Sequence, residues 1–307
     1  MMLELFVYGI VLGSIIALGA IGLTLVYGIL RFANFAHGDL MTAGAYVGLF
    51  LVSSLFPLIG IPREPLGPFS FGWRMVAAFP VAMAAVSGIA ILLDRLIYRR
   101  LRQKGSSAVI LAISALGASL IVRMVVLILW GGDYRSFFPG VLRPAMELPF
   151  GVKIRPDQVL IIGVAALLMV SLYLFLHYTK TGKAMRATAD NMELARISGI
   201  RTERIVLWTW AIGGALAAAG GVLYGIDVQI HPGMGWNFLL PLFAAAILGG
   251  IGKVHGALIG GLVIGVLQQL STAWLLPTYK PAVAFIGMII ILLVRPQGIF
   301  GGETGGT

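Results

Sequence analysis

Few side chains in this 307-residue chain could do chemistry, and they fall in places that narrow what the chemistry is. Asn34, His37 and Asp39 cluster at the start of one apolar stretch, and Arg123 stands inside another. A charge within a hydrophobic segment is costly and faces protein or water. Arg123 lies about 10 Å from the end of its segment at about 1.5 Å per residue. Three roles are open to it: snorkelling to the surface, a structural pair, or the lining of a path. Asp39 and Asn34 can cap helix ends near a break, or the cluster can serve a gate or path. The nearest other histidine to His37 is remote in sequence, which argues against a metal site. Asp227, Gln229 and His231 follow a later apolar stretch and read as solvated loop residues or a docking patch. Gln268 and Gln269 lie inside another stretch, where one is expected to hydrogen-bond a neighbouring helix.

No Ser/His/Asp grouping and no metal-ligand spacing rises above chance, so no catalytic, cofactor-binding or metal residue is assigned. The chain has no cysteine, which excludes disulfides and thiolate chemistry. A phosphate-cradling loop needs G-x-x-x-x-G-K-[ST]. The nearest stretch, Gly252-Lys253-Val254, lacks both the hydroxyl residue and the earlier glycine. A chain that moves anything against a gradient would therefore draw energy from a partner or from an ion gradient.

The elements that hold these residues are membrane helices. Hydrophobic residues make up 59% of the chain and charged residues 11%, with a mean hydropathy of +0.97. A soluble domain carries about 25% charge. Apolar spans read at 5–30, 38–56, 74–97, 106–130, 158–178, 204–226, 238–251, 254–276 and 281–295. The long unbroken runs favour helices over the alternating segments of a β-barrel. The fold class is thus an all-α, polytopic transmembrane helical bundle of eight or nine spans. The span at 238–251 is short and reads as crossing or re-entrant. Re-entry would force either the last two spans or the N-terminal part to invert. The N-terminal run holds Glu4 and no Lys or Arg, so it reads as a retained first helix rather than a signal peptide.

The net charge of +10 reads as a topology signal, not as nucleic-acid binding. Arg95, Arg99, Arg100, Arg102 and Lys104 crowd one connector, and Lys180, Lys183, Arg186, Arg196, Arg201 and Arg204 crowd another. Both are expected in the cytoplasm, which places the N-terminus outside and the C-terminus inside. Arg31, Lys253 and Arg295 then also fall inside. Arg63, Arg74, Arg135, Arg143, Lys153, Arg155 and Lys280 fall outside. Trp73, Trp130 and Trp274 sit at outer ends, as interfacial aromatic residues do. The external loop at 131–157 carries Pro139, Pro144, Pro149 and Pro156 and is expected to be irregular and rigid.

Many of the 41 glycines stand four apart within spans: Gly9 and Gly13, Gly44 and Gly48, Gly221 and Gly225, Gly256 and Gly260, Gly261 and Gly265. That spacing lets helix backbones approach closely, either for tight packing or for sliding along a path. His37-Gly38-x-Leu40 and His255-Gly256-x-Leu258 hint at an internal repeat.

The connector at 179–203 is the most informative stretch. Asp190, Asn191 and Glu193 make a helix start, and Gly199 makes a stop. About two turns lie between, too few to be stable alone, so the helix needs a surface to dock on. Met192, Ala195 and Gly199 share one side, with Arg186, Arg196 and Arg201 around it. The readings are a coupling helix seated on a soluble motor, or an ordinary interfacial helix on lipid.

The stretch GIVLGSIIALGAIGLTLVYGILRFANFAHGDLMTAGAYVG at 9–48 resembles the opening of LivH-type permeases, from ATP-binding-cassette importers of branched-chain amino acids. GKAMRATADNMELARISGIRTERI at 182–205 resembles that family's cytoplasmic loop, and AILGGIGKVHGALIGGLVIGVL and LLVRPQGIFG resemble its last third and tail. The likeness runs nearly end to end. It implies one transmembrane permease domain over 1–307, similar to type II-like importer permeases, without enzymatic activity or cofactor. It implies a second related permease, cytoplasmic ATPase subunits and a periplasmic solute-binding protein as partners, in the inner membrane. Arg186, Asp190, Asn191, Met192, Glu193, Ala195, Arg196 and Gly199 would then form the ATPase-coupling helix, and Asn34, His37, Asp39 and Arg123 a translocation path or gate. The rival reading is a self-sufficient secondary transporter or channel. Few intramembrane carboxylates disfavour proton coupling.

Overall fold

Lipid offers no hydrogen-bond partner to a bare backbone amide, so the long apolar runs satisfy their own backbones by coiling. The computed structural model describes residues 2–62, 64–139, 144–148, 151–295 and 297–300. In chain order the helices are α1 (Met2–Leu30), α2 (His37–Phe50), α3 (Phe56–Leu58), α4 (Trp73–Leu93), α5 (Arg99–Gln103), α6 (Ala108–Trp130), α7 (Pro156–Tyr178), α8 (Lys180–Asp190), α9 (Met192–Ile197), α10 (Thr202–Asp227), α11 (Met234–Gly249), α12 (Val254–Ser271) and α13 (Lys280–Val294). A π-helical turn at Leu51–Leu55 joins α2 to α3, and another at Asp94–Tyr98 joins α4 to α5. Counted with the turns that continue them (α2 through α3, α4 through α5, and Pro277–Tyr279 into α13), eight helical segments among the described residues are long and apolar enough to cross a bilayer, and α11 is a shorter apolar one.

The outward surface is what lipid requires. Ile113, Ile128, Leu167 and Leu293 are each more than half exposed, far beyond what a soluble monomer shows in one patch. α1 is the axis of the bundle: 89% of its apolar stretch is buried, against 6% for α13.

Contacts sort the loops into two ends. At one, Tyr8 donates to the Lys153 carbonyl, Arg155 pairs with Asp227, and Arg135 bridges Ile230. At the other, Arg31 reaches the Ala189 carbonyl, Arg99 pairs with Glu203, and Gly252 lies beside Gly28. We call these the far end and the connector end. Arg74, Arg135, Lys153, Arg155 and Lys280 gather at the far end; Arg31, Lys253 and Arg295 gather at the connector end. Arg63, Arg143 and Pro149 lie outside the described residues. The far-end loop is more ordered than its prolines imply, because β1 (Met146–Leu148) pairs antiparallel with β2 (Val152–Ile154).

Four-spaced glycines serve packing. Gly9 and Gly13 of α1 meet Val266 and Leu262 of α12, while Gly256 and Gly260 on another face of α12 meet Gly249 and Ala245 of α11. α12 therefore runs antiparallel to α1 and to α11, and α13 runs antiparallel to α12 through Gln268, which donates to the Lys280 carbonyl. The chain reverses at each of these steps, so no inversion is needed. α11 occupies 234–249 rather than 238–251 and is about 24 Å long at about 1.5 Å per residue.

α2 begins deep in the bundle, not at its edge. Its first residue, His37, lies against Gly22, eight residues before α1 ends at Leu30, which is about 12 Å of rise. Arg31 closes α1 in the left-handed conformation, φ 56°, and residues 31–36 climb back without helix. Irregular backbone survives at that depth only when protein covers it. Phe32 packs on Tyr98 and Trp210, and Asn34 Oδ1 accepts the Ala36 N–H at 3.2 Å. His255-Gly256 also starts a helix, but at the connector end, so the two His-Gly-x-Leu motifs stand at different depths.

The start of α2 crosses the start of α11 almost backbone to backbone. A Cβ on Gly235 would overlap the Gly38 carbonyl, and the Gly235 N–H donates to Thr42 Oγ1 at 3.0 Å. Gly235→Ala is expected to cost about 1–3 kcal/mol or more through overpacking. Gly233→Ala meets only the nearby His231 ring, at 3.4 Å. Thermal unfolding in detergent should show a lowered midpoint for the first and an unchanged one for the second.

Candidate functional site

Asp39 caps nothing. Two residues into α2, its carboxylate accepts from Arg123 of α6 through Nε at 3.1 Å and Nη2 at 2.9 Å, and from the Ser119 hydroxyl one turn earlier on α6. The fork-to-carboxylate geometry is the strong form of an ion pair. The depth of α2's start makes it possible: Asp39 meets α6 at the level of Arg123 instead of at a helix edge. The Arg123 guanidinium also lies 4.8 Å from the centre of the Trp236 ring on α11, a cation–π contact. Asp39 is 1% exposed and Arg123 19%. Trp236 is exposed at the same place. A partly open guanidinium this deep does not face acyl chains, because the cost of a charge in hydrocarbon is too high. This corner of α2, α6 and α11 is thus where a buried ion pair reaches the outer surface of the bundle.

Asn34 and His37 are brought near but not into this cluster. The His37 ring is fully buried and neither of its nitrogens has a hydrogen-bond partner, and the same holds for the Asn34 amide nitrogen and the Thr24 hydroxyl. They line the inside of the break. At the far end Asp227 is not a loop residue: it ends α10, pairs with Arg155, and accepts from Gln158 at 2.9 Å. His231 packs on the Tyr134 ring, and burial lowers its pKa from the usual value. Both glutamines of α12 bond α13, Gln268 to the Lys280 carbonyl and Gln269 to the Lys280 ammonium at 2.8 Å. Among the described residues no group of three acidic, cysteine or histidine side chains could hold a metal.

The connector folds as two helices. α8 follows α7 through a tight turn in which the Thr179 hydroxyl accepts from the Gly182 N–H at 2.9 Å. Met185 and Thr188 bury one face of α8, and Arg186 and Asp190 are exposed. α9 is capped by Asn191, whose side chain accepts from the Leu194 N–H at 2.9 Å, and stopped at Gly199, φ 86°. Within α9, Ala195 turns inward at 4% exposure. Met192, Glu193 and Arg196 point outward, as do Leu194 at 56% and Ile197 at 77%. Spacing alone missed Leu194 and Ile197, because the Ala195 side was read as the docking face. Ala195 instead seats α9 on its own chain, and the larger apolar side chains are presented to the outside.

Residues 5–293 match the family model described as the branched-chain amino acid transport system / permease component. The chain belongs to this family. Relatives extend over nearly the whole length. The high-affinity branched-chain amino acid transport system permease protein LivH of Escherichia coli K12 is 38% identical over 95% of this chain and 93% of its own. The corresponding permease protein BraD of Pseudomonas aeruginosa is 36% identical over 97% and 95%. A probable branched-chain amino acid transport permease protein LivH of Methanocaldococcus jannaschii is 31% identical over 95% and 90%. The chain is thus a transport permease and not an enzyme. In this chain Asp39 and Arg123 lie within the helical bundle and Leu194 and Ile197 on the connector.

Proposed function

We propose that this chain is one of two permease subunits of an ATP-driven importer of branched-chain amino acids, with the 179–203 connector in the cytoplasm. The observation that carries the reading is the exposed Leu194–Ile197 pair on a capped, charged connector, in a permease that has no nucleotide-binding loop. An apolar pair rimmed by Glu193 and Arg196 suits an apolar seat on a soluble ATPase, where a few buried anchors supply most of the binding energy. The basic residues gathered at the connector end support the cytoplasmic orientation, with the first helix starting outside and α13 ending inside. A second, related permease would cover the Asp39–Arg123–Trp236 corner, and the solute would pass between the two. A periplasmic binding protein would deliver it at the far end.

Affinity-purified protein is expected to bring down an ATPase with a phosphate-binding loop. With that ATPase, the second permease and the binding protein in liposomes, labelled leucine should enter only when ATP is present on the connector side. Ion-driven flux through the purified chain alone would overturn the proposal.

A further inference from the structure

At the connector end a cleft of about 560 Å³ opens between α1, α7, α8 and the start of α12. Lys183, Arg186 and Lys253 point into it, together with His177 and His255, and Asp190 is the one carboxylate in its lining. Among the described residues none of these three cations has an ion-pair partner. The two histidines and Tyr173 form a ring cluster that bridges α7 to α12, with centroids 5.7 Å and 5.3 Å from His255. Leu25, Ile29, Leu176 and Val254 make the wall apolar. Leu174 of α7 and Ile259 of α12 are exposed on the outer surface of the same two helices.

Unpaired cations over an apolar wall, at the depth where a helical bundle meets the membrane surface, match one kind of molecule. We infer that this cleft binds the phosphate of an acidic phospholipid, with the acyl chains running along α7 and α12. The phosphate accepts from Lys183, Arg186 and Lys253 as a point-charge and fork cluster. The position gives the site a consequence. The cleft sits where α8 leaves α7, one helix before α9, so a bound headgroup ties the connector to α1 and α12. Arg31 reinforces the same junction by reaching from α1 to the Ala189 carbonyl.

The test uses the full chain in nanodiscs of phosphatidylcholine, with or without phosphatidylglycerol, and in phosphatidylcholine with millimolar inorganic phosphate. Phosphatidylglycerol should raise the unfolding midpoint and be retained in native mass spectra in preference to phosphatidylcholine. Lys183→Gln with Lys253→Gln should weaken that retention about thirty-fold, from a contribution of about fivefold by each basic residue near an anionic headgroup. Lys104→Gln, outside the cleft, should behave as wild type. If inorganic phosphate reproduces the gain and the double variant loses it, the phosphate chemistry stands and its source is soluble rather than lipid. Equal behaviour of the wild type in the two lipids, or full retention by the double variant, overturns the inference. Should the double variant fail to fold, a photoreactive phosphatidylglycerol on the wild type decides. Label within 173–190 or 252–255 supports the site, and label only elsewhere refutes it.

Discussion

Leu194→Asp combined with Ile197→Asp is expected to reduce ATP-driven uptake to background while leaving the unfolding midpoint of the isolated chain unchanged. Both side chains are mostly exposed, at 56% and 77%, so their replacement removes little internal packing. The inward contact of α9 rests on Ala195, and its ends rest on Asn191 and Gly199, none of which is touched. Docked on a motor, the same two positions become buried. Anchors of this kind cost about 2 kcal/mol or more each when lost, and a carboxylate in an apolar seat adds desolvation. Two such losses amount to roughly a thousand-fold in dissociation constant. Co-purification of the ATPase and uptake should fall together. Uptake at the wild-type rate, with the protein present at normal level, would remove α9 from the coupling path. The milder pair Glu193→Ala and Arg196→Ala should weaken association by less, since rim charges contribute mostly to encounter rate.

Asp39→Asn should destabilise the bundle by about 3–5 kcal/mol, because it leaves a guanidinium inside the membrane without its counter-ion. Arg123→Gln strands a carboxylate that is 1% exposed, with a cost of the same order. The double variant Asp39→Asn/Arg123→Gln removes both charges, and paired removal is far gentler than breaking a pair. Its unfolding midpoint should return most of the way to wild type. Reconstituted uptake should not return, if the partly open face of Arg123 borders the solute's route. Recovery of both would make the pair purely architectural; recovery of neither would show that Ser119 and Trp236 depend on the charges for their own packing.

Hydropathy made the helices legible, and the loop charges ordered them, because both signals are local sums over many residues. The Asp39–Arg123 pair was not legible: its members are 84 positions apart, and each read alone has several plausible roles. Asp39 looked like an edge residue because it stands at the start of an apolar stretch, just after the non-helical Arg-Phe-Ala-Asn-Phe-Ala of residues 31–36. Only the packing of Phe32 on Tyr98 and Trp210 shows that this turn is sunk into the protein. α8 escaped notice because its helix-forming face is short and its outer face polar, so tertiary contact rather than periodicity decides it. α9 was visible through its cap and its stop, which are chemical signatures. Which of its sides faces home was not, since a small alanine and a large isoleucine are both apolar and only volume against the neighbouring helix separates them.

The meeting of Gly38 with Gly235 has a mechanical side. Where two main chains touch with no side chain between them, there is no rotamer to turn and no methyl group to yield. Such a joint neither slides nor widens by small steps; it holds or it parts. The starts of α2 and α11 are therefore pinned to each other at this point, with Asp39 one residue from it on α2 and Trp236 one residue from it on α11. The Arg123 fork ties that joined pair to α6, so a shift of either helix along α6 would have to stretch both of its bonds to Asp39.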